Sequence, residues 1–214
     1  GPPSGGGVVL INALNVLESF NLNKYKENSA VTYHLIAEAL RKGHHARSRN
    51  VGDPEFYDVP ISSLIDKKHA REHAQKIKFN TALPASEIKP IEVINESRDT
   101  THYSIIDKEG NAISNTYTLG YSFGSGVTIP GTGILMNNQM NNFAFKYGDA
   151  SEISRSSSPG NKFEPGKRPM STMNPVIVKN KDNGISLITG SPGGSFIPAA
   201  ALRVISGIID FDLD

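Results

Sequence analysis

Apolar residues change rhythm at Thr100, and that change divides the chain. Before it, apolar side chains recur every three or four residues, the spacing of a helix with one buried face. Residues 8–20 carry Leu10, Leu14 and Leu17 in this way, and residues 31–49 carry Val31, Leu35, Ala39 and Leu40 behind a capping Asn28 or Ser29. Residues 61–77 read as a third helix, and residues 79–97 as extended and loop-like. From Thr100 the period is two. HYSIID, the turn KEGN and AISNTYTLGYSFG form a hairpin signal, and PVIVKNKDNGISLITGS forms another around Asp182, Asn183 and Gly184. Residues 195–210 return to helical spacing, with Pro198 near the first turn. Residues 151–169 are rich in Ser, Gly and Pro and read as an exposed loop. Helices followed by paired strands and a closing helix predict an α+β fold.

Composition excludes several chemistries. The chain has no cysteine, so disulfides, thiolate catalysis and cysteine–zinc sites are ruled out. Twenty-two basic and 21 acidic residues leave a formal charge of +1, which calls for no nucleic-acid partner. No apolar run is read as a membrane span. The opening GPPSGGG lacks the features of a secretory signal, and GIIDFDLD stops in mid-pattern, so an internal segment of a longer protein is expected.

Four stretches carry groups suited to chemistry, each with a plainer alternative. Thr100 and Thr101 in RDTTHYS are either strand formers after a turn or include a nucleophile. An internal threonine lacks the free α-amine that would serve as its base, so the second reading needs cleavage between Asp99 and Thr100. Gly193 and Gly194 in GSPGGS sit between a strand and a helix, as an oxyanion hole would, or as any tight turn would. Residues 137–142 (NNQMNN) concentrate five carboxamides that suit a zwitterionic or amide substrate, or simply a turn. KRPMST places two hydroxyls behind a basic pair, suited to a carboxylate, or to a solvated turn. His69 and His73 are four apart on a helix without the glutamate of a zinc-protease motif; with His44 and His45 they read as surface histidines.

In order along the chain, PPSGGG, GDPEF, DTTHYSIIDKEGNAISNTYTL, GTGILMNNQMNNF, GKRPMSTMNPVIV and TGSPGGS resemble the γ-glutamyltranspeptidases. The resemblance covers nearly the whole chain, and TTHYS followed by SPGGS is a highly specific pairing. It implies an αββα four-layer sandwich of the N-terminal-nucleophile hydrolase type, incomplete in this segment. Residues 1–99 would be the C-terminal part of a large subunit and residues 100–214 the N-terminal part of a small one. The two would arise by self-cleavage between Asp99 and Thr100 and remain together as a heterodimer. Thr100 would be the nucleophile, Thr118 would orient it, and Gly193 and Gly194 would stabilise the oxyanion. Gln139, Asn142, Ser171, Thr172 and Gly120 match positions that hold the γ-glutamyl group. The implied reaction takes the γ-glutamyl group of substrates such as glutathione to water or amino acids, with no metal and no cofactor. Bacterial members are mostly exported, which implies a periplasmic or extracellular location.

Two positions depart from the family pattern. Gly120 stands where asparagine or an acid is usual, and Asn142 where an acid is usual. Losing a carboxylate at 142 removes a charge-assisted contact to a substrate α-ammonium, roughly twice as strong as a neutral hydrogen bond. This implies relaxed selectivity toward glutaryl-type acyl groups. Acylase chemistry on glutaryl-cephalosporin or poly-γ-glutamate is the second enzymatic reading, and a non-catalytic homologue the third.

Overall fold

The computed structural model describes residues 1–84, 99–144 and 158–213. Most of the segment read as extended, and part of the Ser/Gly/Pro-rich loop, lie outside those residues. Five α-helices and four strands are described. These are α1 (Gly6–Leu17), α2 (Ala30–Asn50), α3 (Ile61–Leu64), α4 (Lys67–Ala74), β1 (Thr100–Ile106), β2 (Ala112–Thr118), β3 (Val176–Lys179), β4 (Ile185–Thr189) and α5 (Ile197–Phe211). The mixture of helix and strand, and the switch between them at Thr100, match the sequence expectation.

Local chemistry sets the helix ends. Ser29 caps α2, its hydroxyl accepting the Thr32 N–H at 3.2 Å. The single helix expected over 61–77 is two pieces, because Asp66 turns outward and its carboxylate caps α4 by accepting the His69 N–H at 2.9 Å. An N-capping residue has extended dihedrals, so it interrupts whatever precedes it. Leu10, Ala13, Val16 and Leu17 of α1 meet Leu35, Ile36 and Ala39 of α2, Ala70 and Ala74 of α4, and Leu202 and Ile205 of α5. Val176, Val178 and Leu187 of the second hairpin lie against this core. Residues 194–211 do match a bilayer span in length and apolar character, contrary to the sequence reading, but one side of α5 is a face of the core.

Both hairpins are antiparallel. In the first, the Asp107 carboxylate accepts the N–H groups of Glu109 and Asn111 at 3.0 and 2.8 Å, so the turn fixes the register. In the second, Asn183 takes a positive φ of 63° at the turn read from the sequence. Ser114 ties the hairpins together, donating to the Thr189 carbonyl at 3.0 Å and accepting the Val176 N–H at 3.1 Å.

Three expectations are corrected. His73 is buried, and burial lowers its pKa, so it is not a surface histidine. His44 is only partly exposed, and burial lowers its pKa to about 4. Within the loop expected to be exposed, Ser158 and Asn161 are fully buried.

Candidate active site

Register alone brings the two candidate threonines together. Counting back from the Asp107 turn, Thr100 at the start of β1 lands opposite Thr118 at the end of β2. The Thr118 hydroxyl accepts the Gly120 N–H at 2.9 Å and donates to the Asp99 carbonyl at 3.4 Å. That carbonyl belongs to the bond that would be cleaved. His102 is engaged within the hairpin, Nδ1 at 2.8 Å from the Thr116 hydroxyl and Nε2 at 3.1 Å from that of Ser104. Its ring lies against Gly190, where an added Cβ would come within 2.3 Å of it. Desolvation lowers the His102 pKa and keeps the ring neutral at neutral pH. The contact joins β1 to the GSPGGS turn. In that turn Gly193 and Gly194 both take positive φ, 124° and 57°, just before α5. Positive φ favours glycine, and the N-terminal end of a helix favours developing negative charge.

An open cleft gathers most of the sequence candidates. Thr100, Thr118, Gly194, Gly120, Gln139, Asn142, Ser171 and Thr172 all line it. Gly193 and Asp99 are not among the lining residues. The lining also includes Asn138, from the carboxamide-rich stretch, and the buried Arg47, which the sequence reading passed over. Arg47 is the one cation in that lining, and no carboxylate occurs in it among the described residues.

Each wall has a local cause. Residues Gln139–Asn142 form a 3₁₀ turn in which the Asn142 amide donates to the Gln139 side-chain carbonyl. Gly120, at φ 96°, sits where an added Cβ would be 1.8 Å from the Asn138 side-chain oxygen, itself held by the Tyr121 N–H at 3.0 Å. The Asn138 carboxamide therefore occupies the space beside position 120. Ser171 is docked on the chain's first residues: its carbonyl accepts the Gly5 N–H at 2.8 Å and its N–H donates to the Pro3 carbonyl at 3.3 Å. Ser4 donates to the Met173 carbonyl at 2.5 Å. A Cβ on Gly6 would meet the Thr172 carbonyl at 2.4 Å, so the glycines of PPSGGG let α1 approach this loop. From the sequence they read only as an entry to a helix.

Behind the same loop lies an ion pair that sequence reasoning missed. Asp53 is fully buried and accepts from Arg168 three times, from Nη2 at 2.6 Å, Nε at 3.0 Å and the backbone N–H at 2.8 Å. These bonds hold the Asp53 carboxyl far below the usual carboxylate range, against the opposing effect of burial. GDPEF and GKRP were both visible as motifs, but 115 residues separate the partners and nothing local signals the pairing.

A family model described as Gamma-glutamyltranspeptidase matches residues 1–214. The "Glutathione hydrolase proenzyme" of Escherichia coli (strain K12) is 42% identical over 214 residues, covering 100% of this chain and 37% of the relative. That of Pseudomonas sp. (strain A14) is 39% identical over 213 residues, with coverage of 100% and 37%. Among solved structures, the cephalosporin acylase from Bacillus halodurans aligns with a TM-score of 0.77 at 27% identity, covering 100% of this chain and 35% of that one. The chain thus spans 37% of the length of the curated relatives named here. By the match along its whole length, the chain belongs to the gamma-glutamyltranspeptidase family.

Proposed function

We propose that this chain carries the processing junction and much of the catalytic centre of a γ-glutamyltransferase, or glutathione hydrolase. The observation that carries this reading is the pairing of Thr100 with Thr118 beside the Asp99 carbonyl, at a cleft that also gathers Gln139, Ser171, Thr172 and Gly194. Residues 1–99 are then part of a large subunit and residues 100–214 part of a small one, paired as a heterodimer in an αββα sandwich. Family membership supports a periplasmic or extracellular location.

In the precursor, the Thr100 hydroxyl adds to the Asp99 carbonyl carbon, polarised by the Thr118 hydroxyl donating to its oxygen. The C–N bond breaks, the nitrogen takes the proton, and an ester joins the two parts. Water then releases the Asp99 carboxylate and leaves Thr100 with a free amine. That amine is the base that an internal threonine lacks. It accepts the hydroxyl proton as Thr100 attacks a γ-glutamyl amide, and the leaving amine takes that proton as the bond breaks. The Gly193 and Gly194 N–H groups receive the oxyanion. Water or an amino acid then takes the acyl group from the Thr100 ester. Gln139, Asn142, Gly120, Ser171 and Thr172 hold the glutamyl end during both steps.

Mass spectrometry of the full-length protein tests the reading. The wild type should appear as two chains broken between Asp99 and Thr100, and Thr100→Ala should remain whole and inactive toward γ-glutamyl anilides. An uncut wild-type protein would sink the proposal.

A further inference from the structure

Asn161 closes a short 3₁₀ turn, Pro159–Asn161, and is fully buried. The turn is built locally: the Ser158 hydroxyl accepts the Gly160 N–H at 3.2 Å, and the Ser158 carbonyl accepts the Asn161 N–H at 3.0 Å. The Asn161 side chain faces two different segments. Its amide nitrogen donates to the Asn142 carbonyl at 2.7 Å, and its amide oxygen accepts the Met170 N–H at 2.8 Å. Its backbone carbonyl accepts the Ala144 N–H at 2.9 Å. The first segment carries Gln139 and Asn142, the second Ser171 and Thr172, and all four line the cleft while Asn161 does not.

We infer that Asn161 is a positioning residue that clasps the two substrate-holding walls of the cleft at a fixed separation. The inference rests on the reading above, in which those walls hold the acyl donor. The chemistry of the side chain is specific to the task. A primary carboxamide presents one donor and one acceptor from the same carbon, and unlike a carboxyl group it does so without charge at neutral pH. Aspartate would set an acceptor against the Asn142 carbonyl, alanine would leave that carbonyl and the Met170 N–H unmatched in a buried place, and glutamine is one methylene too long. The pairing of Thr100 with Thr118 depends on the β1–β2 register and does not pass through Asn161. The clasp therefore acts on how the donor is held and not on self-cleavage.

The test uses the full-length protein, with Asn161→Asp and Ser171→Ala compared to wild type on a γ-glutamyl anilide. Asn161→Asp should raise KM about 10-fold, the loss expected from one mismatched buried hydrogen-bonding group, while the rate of cleavage before Thr100 stays near wild type. An unchanged KM in Asn161→Asp, with KM raised in Ser171→Ala, overturns the clasp alone. KM unchanged in both overturns the pocket reading with it. Self-cleavage slowed in step with the rise in KM would mark a general structural role and also overturn the clasp. If Asn161→Asp does not accumulate, hydrogen exchange in the wild type decides. Binding of glutamate should slow the Ala144 and Met170 amides by a similar factor, and any other pattern overturns the clasp.

Discussion

In the proposed acyl-donor pocket, a single atom at position 142 would change what is recognised. The Asn142 amide donates to the Gln139 side-chain carbonyl, and neither of these two lining side chains carries a charge. An aspartate there would accept instead, Gln139 would rotate its carboxamide to donate, and a carboxylate oxygen would remain for a substrate ammonium. Asn142→Asp should therefore raise the ratio of kcat/KM for γ-glutamyl over glutaryl anilide by about 10-fold, the order expected when a neutral contact becomes charge-assisted. Steady-state kinetics on the two anilides measures it, and an unchanged ratio would remove Asn142 from selectivity. Gly120 is a different kind of departure. The Asn138 oxygen already occupies the space a side chain at position 120 would need. The sequence marked Gly120 and Asn142 alike as departures, and only the packing separates them.

Among the elements, the loop that carries Ser171 and Thr172 is held from three directions. The chain's first residues, the Asn161 turn and the Asp53–Arg168 pair each fix part of it. The ion pair is asymmetric, since Asp53 is fully buried while the Arg168 side chain is half exposed. Removing the Arg168 side chain leaves a buried carboxylate held only by the Arg168 and Glu55 backbone N–H groups and with no neutralising charge, whereas removing Asp53 leaves a guanidinium that water and Glu55 can still satisfy. Arg168→Ala should lower stability at neutral pH, because it removes two side-chain hydrogen bonds and the neutralising charge from a buried carboxylate, and Asp53→Ala should cost less. Urea unfolding of both variants gives the order, and a larger loss for Asp53→Ala would show that its hydrogen bonds to backbone matter more than charge. The elements themselves were legible wherever their causes are local. Ser29 capped α2 as read, and the alternation and turns gave both hairpins. Asp66 was misread because a carboxylate inside a helical pattern can cap or simply be solvated, and periodicity does not distinguish the two. Asn161 and Asp53 were invisible because their partners are distant in sequence, and nothing in the surrounding residues shows that a polar side chain is buried.

At the scale of the whole molecule, burial of titratable groups couples these contacts to pH. The pKa of His44 is lowered to about 4, first by desolvation and then by Arg47, against about 6.5 in an unfolded chain. Between those values the unfolded chain binds a proton that the folded one does not, so stability falls as pH drops from about 6.5 toward 4. Asp53 acts in the same sense but in a lower window. Its folded pKa lies below the unfolded value of about 3.9, so the stability it contributes is complete above that value and is lost only as pH falls further. The two groups therefore act in different windows, and substitution separates them. Measured as the difference from wild type in full-length protein, His44→Gln should flatten the decline between pH 6.5 and 4 by up to about 1.4 kcal/mol per pH unit, the limit for one linked proton. It should leave the loss below pH 4 in place, while Asp53→Asn should remove part of that loss and leave the upper window unchanged. Urea midpoints at pH 7.5, 5.5 and 3.5 are sufficient to see both effects. If His44→Gln tracks wild type from pH 7.5 to 5.5, His44 is hydrated in solution and its environment is more open than its burial here implies.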